Sequence, residues 1–496
     1  MVSFFESPVG TEFLHRLAVA AHFVMTMAGP GGIRQVCQFF ELSGLSPFIA
    51  SSYGAQHGAS VQMEEAIIAF DGEERKRLAG SMEPKEITVC QDETFHPETC
   101  LVGIEPVSNF IVLEEYADNR KSSEWTKAMG EAVVGLPVTI VQSTSDEGRG
   151  ILHHVRNDLG AHHSPDVFHV QHEIVKGTSA VLASGKKKAE AGLQQAVERV
   201  ERCIQKKEDY RNGDPKPGRP PCFDKRIEDA IENREAARDA LEKAELHQLR
   251  MKEAVREIGK VYHPVDIETG RLKEPEEVAE SLTKCFTEIE TVASEANLGE
   301  RSLKRIVKAR KVVVDMVATI LFFCMTIRAK VEALSLSPKV EKAVMEILIP
   351  GLYLQRISRQ AKSGDDRRRL NQKSCEMLAL LQGENRPFNG LGLEELKVIQ
   401  KVGEECACLF QRSSSCVEGR NGQLSLRHHG LHRLSNRKLA ALTAVHNYFI
   451  KRRDGTTPAE RFFGTRPREL FEFLLAKMDY PGRPAQSRAK CGWPKQ

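Results

Sequence analysis

The stretch ITVCQDETFHPETCLVGIEPVSNFIVLEEY, residues 87–116, decides the fold class. It contains three apolar runs of strand-like composition, at 87–94, 100–107 and 110–116, and loops of only a few residues separate them. Connections this short favour pairing between consecutive strands. We therefore expect an antiparallel three-stranded meander.

The segment after the meander alternates helices with strands. It predicts a helix over 122–134, a strand over 138–143, a second helix near 150–159 and a last strand over 167–170. Strands that alternate with helices pair in parallel. The order β-β-β-α-β-α-β therefore predicts one mixed five-stranded sheet.

Residues 1–84 read as a helical N-terminal region. Within it, GIRQVCQFF (32–40), a glycine turn and a second helix opened by Ser46 and Pro47 outline a helix-turn-helix, in which Arg34 would contact phosphate. Two ordinary short helices joined by a turn fit the same pattern equally well.

A long segment without strand signal, 178–412, predicts an all-helical insertion. A proline-rich link at 210–221 separates two long helices, so an antiparallel hairpin is expected over 178–260. The longest apolar run, 312–327, has 16 residues and contains Asp315. It is too short to span a bilayer and predicts a buried helix. Further helices are expected at 276–295, 302–334, 339–348 and 393–409.

The composition excludes several classes of protein. The chain has 496 residues, 41% of them hydrophobic, with 71 basic against 68 acidic side chains and a net charge of +3. Such a chain is globular, neither collagen-like nor broadly disordered. The 12 cysteines include no CxxC pair, and the N-terminus lacks the pattern of a signal peptide. These features predict a protein of the reducing cytoplasm, without a membrane partner.

Acidic residues are absent from residues 419–453. In a nearly neutral chain, so long a basic segment favours a polyanionic partner, although a solvated surface can have the same composition. Its eight fixed positive charges are Arg420, Arg427, Arg433, Arg437, Lys438, Lys451, Arg452 and Arg453.

Three carboxylates stand where a sheet edge and a later helix could bring them together. Asp92 lies near the end of the first strand, Asp146 follows the strand at 138–143, and Glu418 lies in the first turn of the helix before the basic segment. Carboxylates are the ligands that Mg²⁺ prefers. Because a one-residue slip turns a strand side chain to the opposite face, Glu93 competes with Asp92, and Asp92 is preferred.

The chain from about 85 to 475 resembles the DDE transposases of bacterial insertion sequences. The resemblance rests on the strand order, on the placement of the three acids and on five local strings. The string at 454–464 is the most specific of them. These strings are DGTTPAERFFG (454–464), RKLAALTAVHNYF (437–449), QDET (91–94), STSDEG (143–148) and DVFHVQH (166–172). In addition, YHPVDIETG (262–270) is similar to a motif of family members that carry a large helical insertion.

The resemblance implies an α/β ribonuclease-H-like core, formed by 85–177 and 413–478, in an α-rich chain with a flexible tail at 479–496. It implies that Asp92, Asp146 and Glu418 are the catalytic and metal-binding triad for two Mg²⁺ ions, with Mn²⁺ as a substitute. The implied function is cleavage of DNA at the element's terminal inverted repeats and strand transfer into target DNA, by a homo-oligomer associated with the bacterial nucleoid. The implied DNA contacts are Arg149, Arg420, Arg427, Arg433, Arg437 and Lys438.

Two other functions remain open from the sequence. A related nuclease would hydrolyse DNA without joining it. A non-catalytic or truncated transposase-derived protein would bind DNA or assemble, with the hairpin at 178–260 as its oligomerisation element. His169 and His172 are interpreted as packing residues or phosphate neighbours, because a hard metal ion prefers oxygen ligands.

Overall fold

The structure, a computed structural model, describes residues 2–95, 98–214, 218–219, 221–431, 433–479 and 482–483. The chain divides into two compact units. One combines Met1–His163 with Ser413–Gln496, and the other is the continuous segment Ser164–Arg412. The predicted tail at 479–496 lies outside the described residues except for 479, 482 and 483.

One mixed five-stranded sheet forms the centre of the first unit, and this confirms the predicted sheet. Its order is β3-β2-β1-β4-β5. β1 pairs antiparallel with β2, β2 pairs antiparallel with β3, and β1 pairs parallel with β4. The strands are β1 (Lys85–Phe95), β2 (Thr99–Glu105), β3 (Phe110–Ala117), β4 (Val138–Ser145) and β5 (His162–Pro165).

The last strand differs from the sequence prediction, which placed it at 167–170. The strand ends at Pro165, and residues 167–170 open a helix. The Asp166 side chain accepts a hydrogen bond from the Phe168 amide at 2.7 Å, which is the geometry of a helix N-cap. A short apolar run fits a strand or a buried helix start, and the cap decides between them. The insertion consequently begins before the predicted position 178.

The N-terminal helices share the core of the sheet. They are α1 (Val2–Phe5), α2 (Pro8–His22), α3 (Ile33–Leu42) and α4 (Tyr53–Ala79), with a π-helical turn at Phe23–Ala28. Phe70 and Leu78 of α4 belong to the same buried cluster as Val89 of β1. Residues 1–84 are thus helical up to Ala79, and they pack in one unit with the sheet. The expected second helix at Ser46 and Pro47 is wrong, because α4 begins at Tyr53.

Two helices follow the meander and pack beside the sheet: α5 (Ser122–Val133) and α6 (Arg149–His153), the latter continued by a π-helical turn at His154–Asp158. Trp125 and Met129 of α5 and Ile151 of α6 are buried in the sheet core. This matches the predicted α/β alternation.

From α7 onward, the described residues of the second unit form helices joined by loops, with one isolated β-bridge between Val265 and Leu272, and they contain the predicted antiparallel hairpin. The unit's first two helices are α7 (Val167–Asn212) and α8 (Phe223–Val261). The Tyr210 and Phe223 rings meet at one end with centroids 5.2 Å apart, and Lys186 Nζ lies 2.9 Å from Glu245 Oε1 farther along. The remaining helices are α9 (Pro275–Glu295), α10 (Glu300–Lys311), α11 (Val313–Glu332), α12 (Pro338–Ala343), α13 (Ile349–Gln360), α14 (Gly364–Leu378) and α15 (Leu393–Leu409), with a π-helical turn at Val344–Leu348.

Within the described ranges, one helical stretch, Glu300–Glu332, is long and apolar enough to cross a membrane by length and composition alone. It comprises α10 and α11. α11 buries Ile320 and Phe323 inside the helical unit, whereas Met325 is 61% exposed. A helix with one buried and one exposed face is typical of a helical bundle.

The chain returns to the first unit with α16 (Ser415–Leu431), α17 (Asn436–Tyr448), α18 (Pro458–Phe463) and α19 (Leu470–Lys477). The Asn447 side chain pairs with the main chain of β3, accepting from the Ile111 amide at 2.9 Å and donating to its carbonyl at 3.0 Å. Arg461 donates to the Ser108 carbonyl at 2.7 Å. Asn447 and Arg461 lie in the strings at 437–449 and 454–464, so both of these strings contribute contacts between the C-terminal helices and the meander.

Candidate metal centre at the sheet edge

Two acids emerge side by side where β1 and β4 stop pairing. The parallel register sets Gln91 opposite Ser145, and Asp92 and Asp146 are the next residues along each strand. Ligand oxygens of Asp92, Glu93 and Asp146 all lie within 4.8 Å of one another, and each of the three residues is partly buried. The structure therefore brings together two of the predicted site residues.

Asp92 and its neighbour Glu93 contact different helices. Asp92 Oδ2 accepts a hydrogen bond from Asn421 Nδ2 of α16 at 3.1 Å. Glu93 Oε1 accepts one from Trp125 Nε1 of α5 at 3.2 Å. Successive strand residues point to opposite faces of the sheet, so Asp92 meets the C-terminal helices and Glu93 meets α5.

The loop after β4 fixes Asp146. Its Oδ1 accepts from the Gly148 amide at 2.9 Å. A Cβ at position 148 would lie 3.0 Å from the same Oδ1, so a side chain there would push the carboxylate by a few tenths of an ångström. The next residue, Arg149, is exposed at the start of α6.

The electrostatics of the cluster disfavour three bare negative charges. Burial raises the pKa of the Glu93 carboxyl; the Trp125 hydrogen bond opposes this shift, and the negative charge of Asp146 adds to it. Clustered carboxylates of this kind take up a proton or a hard divalent cation.

The donor set fits Mg²⁺ with water ligands. Asn421, whose amide nitrogen holds Asp92, has its Oδ1 buried without a hydrogen-bond partner among the described residues. An oxygen acceptor beside two aspartates suits a cation or the water that the cation carries, because Mg²⁺ keeps several waters when it binds to proteins. Asp92, Asp146 and Glu93 are the residues that would hold it.

Glu418 is not part of the close acidic group among the described residues. It is partly buried on α16, three positions before Asn421, and residues at this spacing share a helix face. The helix that carries Glu418 thus reaches the site through Asn421, while Glu93 occupies the third place in the cluster. A role for Glu418 stays a prediction.

Three of the predicted DNA-contacting residues have partners inside the protein. Arg420 forms a buried ion pair with Glu114. Arg427 donates to main-chain carbonyls at the end of the π-helical turn, including that of Gly29 at 2.9 Å. Lys438 is buried, with its Nζ 3.4 Å from Glu64 Oε1. Burial raises the free energy of a lone charge, so these cations need internal partners.

The other predicted DNA contacts are more accessible. Arg149 is exposed beside Asp146, Arg433 is exposed and pairs with Glu98, and Arg437 Nε lies 2.8 Å from Glu64 Oε2. His169 and His172 lie on α7, where the His172 ring stacks on Phe168 with centroids 5.7 Å apart. Neither histidine belongs to the acidic cluster.

Sequence reasoning missed three residues that shape the site: Asn421, Trp125 and Glu114. For Asn421 a signal was present, since it stands one helical turn after Glu418 and next to small residues. Trp125 and Glu114 gave no signal, because their partners lie far away along the chain.

Residues 344–490 match the model of a family of unknown function (DUF6399), which spans less than a third of the chain. The matched segment includes α16 and α17, and therefore Glu418 and Asn421. None of the curated proteins matches the chain.

Proposed function

We propose that this protein is a DDE-type transposase, which cuts DNA at the ends of a mobile element and joins those ends to target DNA. The observation that carries the proposal is the meeting of the Asp92 and Asp146 carboxylates at the ends of adjacent parallel strands. The strand order β3-β2-β1-β4-β5 is compatible with the ribonuclease-H-like core that the sequence resemblance implies. Glu418 would join the aspartates from α16.

The residues of the site have separable tasks in this reaction. Asp92 and Asp146 would hold the metal ions, with their side chains oriented by Asn421 and by the Gly148 amide. Bound Mg²⁺ supplies Lewis-acid stabilisation of the attacking and leaving oxygens of the phosphodiester. Glu93 retains a proton to higher pH than an exposed glutamate, because burial raises its pKa.

Binding of DNA is assigned to two exposed cations that follow elements of the site along the chain. Arg149 follows the Asp146 loop, and Arg433 lies just beyond α16. Their guanidinium groups would contact phosphates without reading sequence. Since the whole chain carries only +3, binding depends on this local placement and not on net charge.

The decisive variant is Asp146→Asn, assayed on a duplex that carries the genomic flanks of the protein's own gene. With Mg²⁺, we expect cleavage to fall by more than about 100-fold, the upper end of the loss caused by changing a residue behind a metal ligand. DNA binding, measured by fluorescence anisotropy, should stay near that of the wild type. Glu131→Gln, which changes an exposed acid at the far end of α5, is the matched control and should cleave normally. Cleavage that survives in Asp146→Asn would refute the proposed site.

The same assay separates the three candidate functions when pre-cut ends and a supercoiled target plasmid are supplied. Joined product supports the transposase. Hydrolysis without joining identifies a nuclease, and binding without either reaction identifies a non-catalytic derivative.

A further inference from the structure

Helix α16 carries a charged residue in the middle of its buried stripe. The buried positions Val417, Arg420, Leu424 and His428 follow helical spacing, and Val417 and Leu424 pack in the sheet core. The Arg420 side chain is only 6% exposed, and its partner Glu114 on β3 is fully buried. Arginine at an apolar position needs a reason, because a buried ion pair contributes little net stability.

The contact is a two-point connection. Arg420 Nε donates to Glu114 Oε1 at 2.7 Å, and Arg420 Nη2 donates to Glu114 Oε2 at 2.5 Å. Thr443 of α17 donates to the same Oε2 at 2.6 Å. A planar guanidinium that donates to both carboxylate oxygens fixes the orientation of the two side chains as well as the distance between them. Apolar side chains at these positions would let the helix rotate or slide by small amounts.

The neighbouring residues on α16 need that fixed rotation. Asn421 directly follows Arg420 and donates to Asp92. Glu418, three positions before Asn421, lies on the same side of the helix. Because the side chains of a helix turn with it, even a modest rotation of α16 about its axis would move the Asn421 amide away from Asp92.

From this geometry we infer that Arg420 is a positioning residue: its ion pair with Glu114 sets the rotation of α16 that holds Asn421 against Asp92 and directs Glu418 toward the acidic cluster. The inference rests on the proposed function of that cluster. It assigns Arg420 to the assembly of the site and not to DNA contact.

The test replaces both charges at once. In Glu114→Met/Arg420→Met the buried pair becomes apolar, a change that proteins commonly tolerate without loss of folding. We expect kcat for Mg²⁺-dependent cleavage to fall about 10–100-fold, the effect of misplacing reacting groups by about 1 Å, with KM for DNA changed by less than about twofold. Arg420→Lys keeps the positive charge but loses the pair of guanidinium donors that contacts both oxygens of Glu114. Its kcat should therefore lie between those of the double variant and the wild type.

A second readout does not depend on activity. The chain has two tryptophans, so in a Trp493→Phe background the fluorescence comes from Trp125, which contacts Glu93. Quenching by Mn²⁺ alone then reports cation binding at the cluster. The double variant and Arg420→Lys should both require at least about tenfold more Mn²⁺, as expected when a residue that orients a metal ligand is lost.

Glu74→Gln is the matched control for a merely structural effect. Glu74 is also fully buried and paired with arginines, Arg77 and Arg468, in the same unit. Its substitution should lower stability while leaving kcat and Mn²⁺ binding unchanged. Suppose that cleavage by the wild type requires Asp146. If the folded double variant then retains wild-type kcat and Mn²⁺ affinity, the inference about Arg420 is wrong, while the proposed function stands. Should the double variant not fold, the same result for Arg420→Lys leads to the same conclusion. If cleavage does not require Asp146, the proposed function fails first.

Discussion

At the residue scale, Asp92 and Glu93 show how adjacent acids acquire different surroundings. Asp92 takes an amide donor from α16, whereas Glu93 takes the indole donor of α5. Asp146, just past the end of β4, lies close to both. The sequence argument for Asp92 over Glu93 is compatible with this placement, but it treats the two acids as exclusive alternatives, and the structure brings both to the site.

Glu93 should oppose folding when no cation is bound. Its pKa is raised by burial, so the folded state disfavours the charged form. The stability associated with this group is fully present below the ordinary pKa of glutamate and is lost as pH rises through the raised value. We therefore expect Glu93→Gln to increase the free energy of unfolding at pH 7 and to have little effect at pH 4.

Urea denaturation at the two pH values, in EDTA, measures this effect. Adding Mn²⁺ should stabilise the wild type more than Glu93→Gln, because the variant lacks one carboxylate ligand. A variant that is less stable than the wild type at pH 7 in EDTA contradicts the assignment of Glu93 to a strained acidic cluster.

At the scale of elements, the basic segment at 419–453 separates into cations with internal and external roles. Its lack of acids predicts an anion-binding surface, yet folding supplies acids from distant parts of the chain: Glu114 for Arg420, Glu64 for Arg437 and Lys438, and Glu98 for Arg433. Local charge counts cannot detect partners hundreds of residues away. Exposure in the fold, and not the density of charge in the sequence, decides which of these cations can contact an external anion.

Arg427 and Arg433 should therefore behave differently when each is replaced by alanine. Arg427 is half-buried, and burial lowers its pKa to about 10. It donates to the carbonyls of Thr26 and Gly29, so Arg427→Ala should lower the free energy of unfolding by about 2 kcal/mol and leave the salt dependence of DNA binding unchanged.

Arg433→Ala should have the opposite pattern. Its ion pair with Glu98 is exposed and contributes little stability, while loss of one phosphate contact reduces the salt slope of binding by about 1. Denaturation and anisotropy titrations over a range of salt concentrations measure both quantities. A reduced slope for Arg427→Ala would show that its internal contacts give way to DNA.

At the scale of the whole molecule, the insertion Ser164–Arg412 is a compact unit of its own. Expressed alone, residues 164–412 should fold cooperatively, because the helices of this unit bury apolar residues such as Ile289 and Phe323 within the segment itself. Circular dichroism during thermal unfolding tests this. A non-cooperative melt would indicate that the insertion depends on the sheet unit.

The larger features of this architecture could be predicted from the sequence, and its long-range contacts could not. Strand runs, turn lengths and helical spacing gave the mixed sheet, the hairpin and α15 at its observed limits. The boundary at 178 was wrong because DVFHV suits a strand or a helix start. The Arg420–Glu114 pair joins residues 306 positions apart, and no local pattern encodes such a pairing.

The divided sheet unit also has a consequence for protein synthesis. Glu418 and α16 leave the ribosome 272 residues after Asp146, which takes roughly 15–55 s at ordinary translation rates. Throughout that interval β3 lacks its hydrogen bonds with Asn447, and Glu114 lacks its ion pair with Arg420. The side of the nascent sheet that α16 and α17 cover in the finished protein is therefore exposed. During this interval the growing chain exposes the apolar surface that α16 and α17 later cover, and Asp92 lacks its contact with Asn421 until that last segment docks.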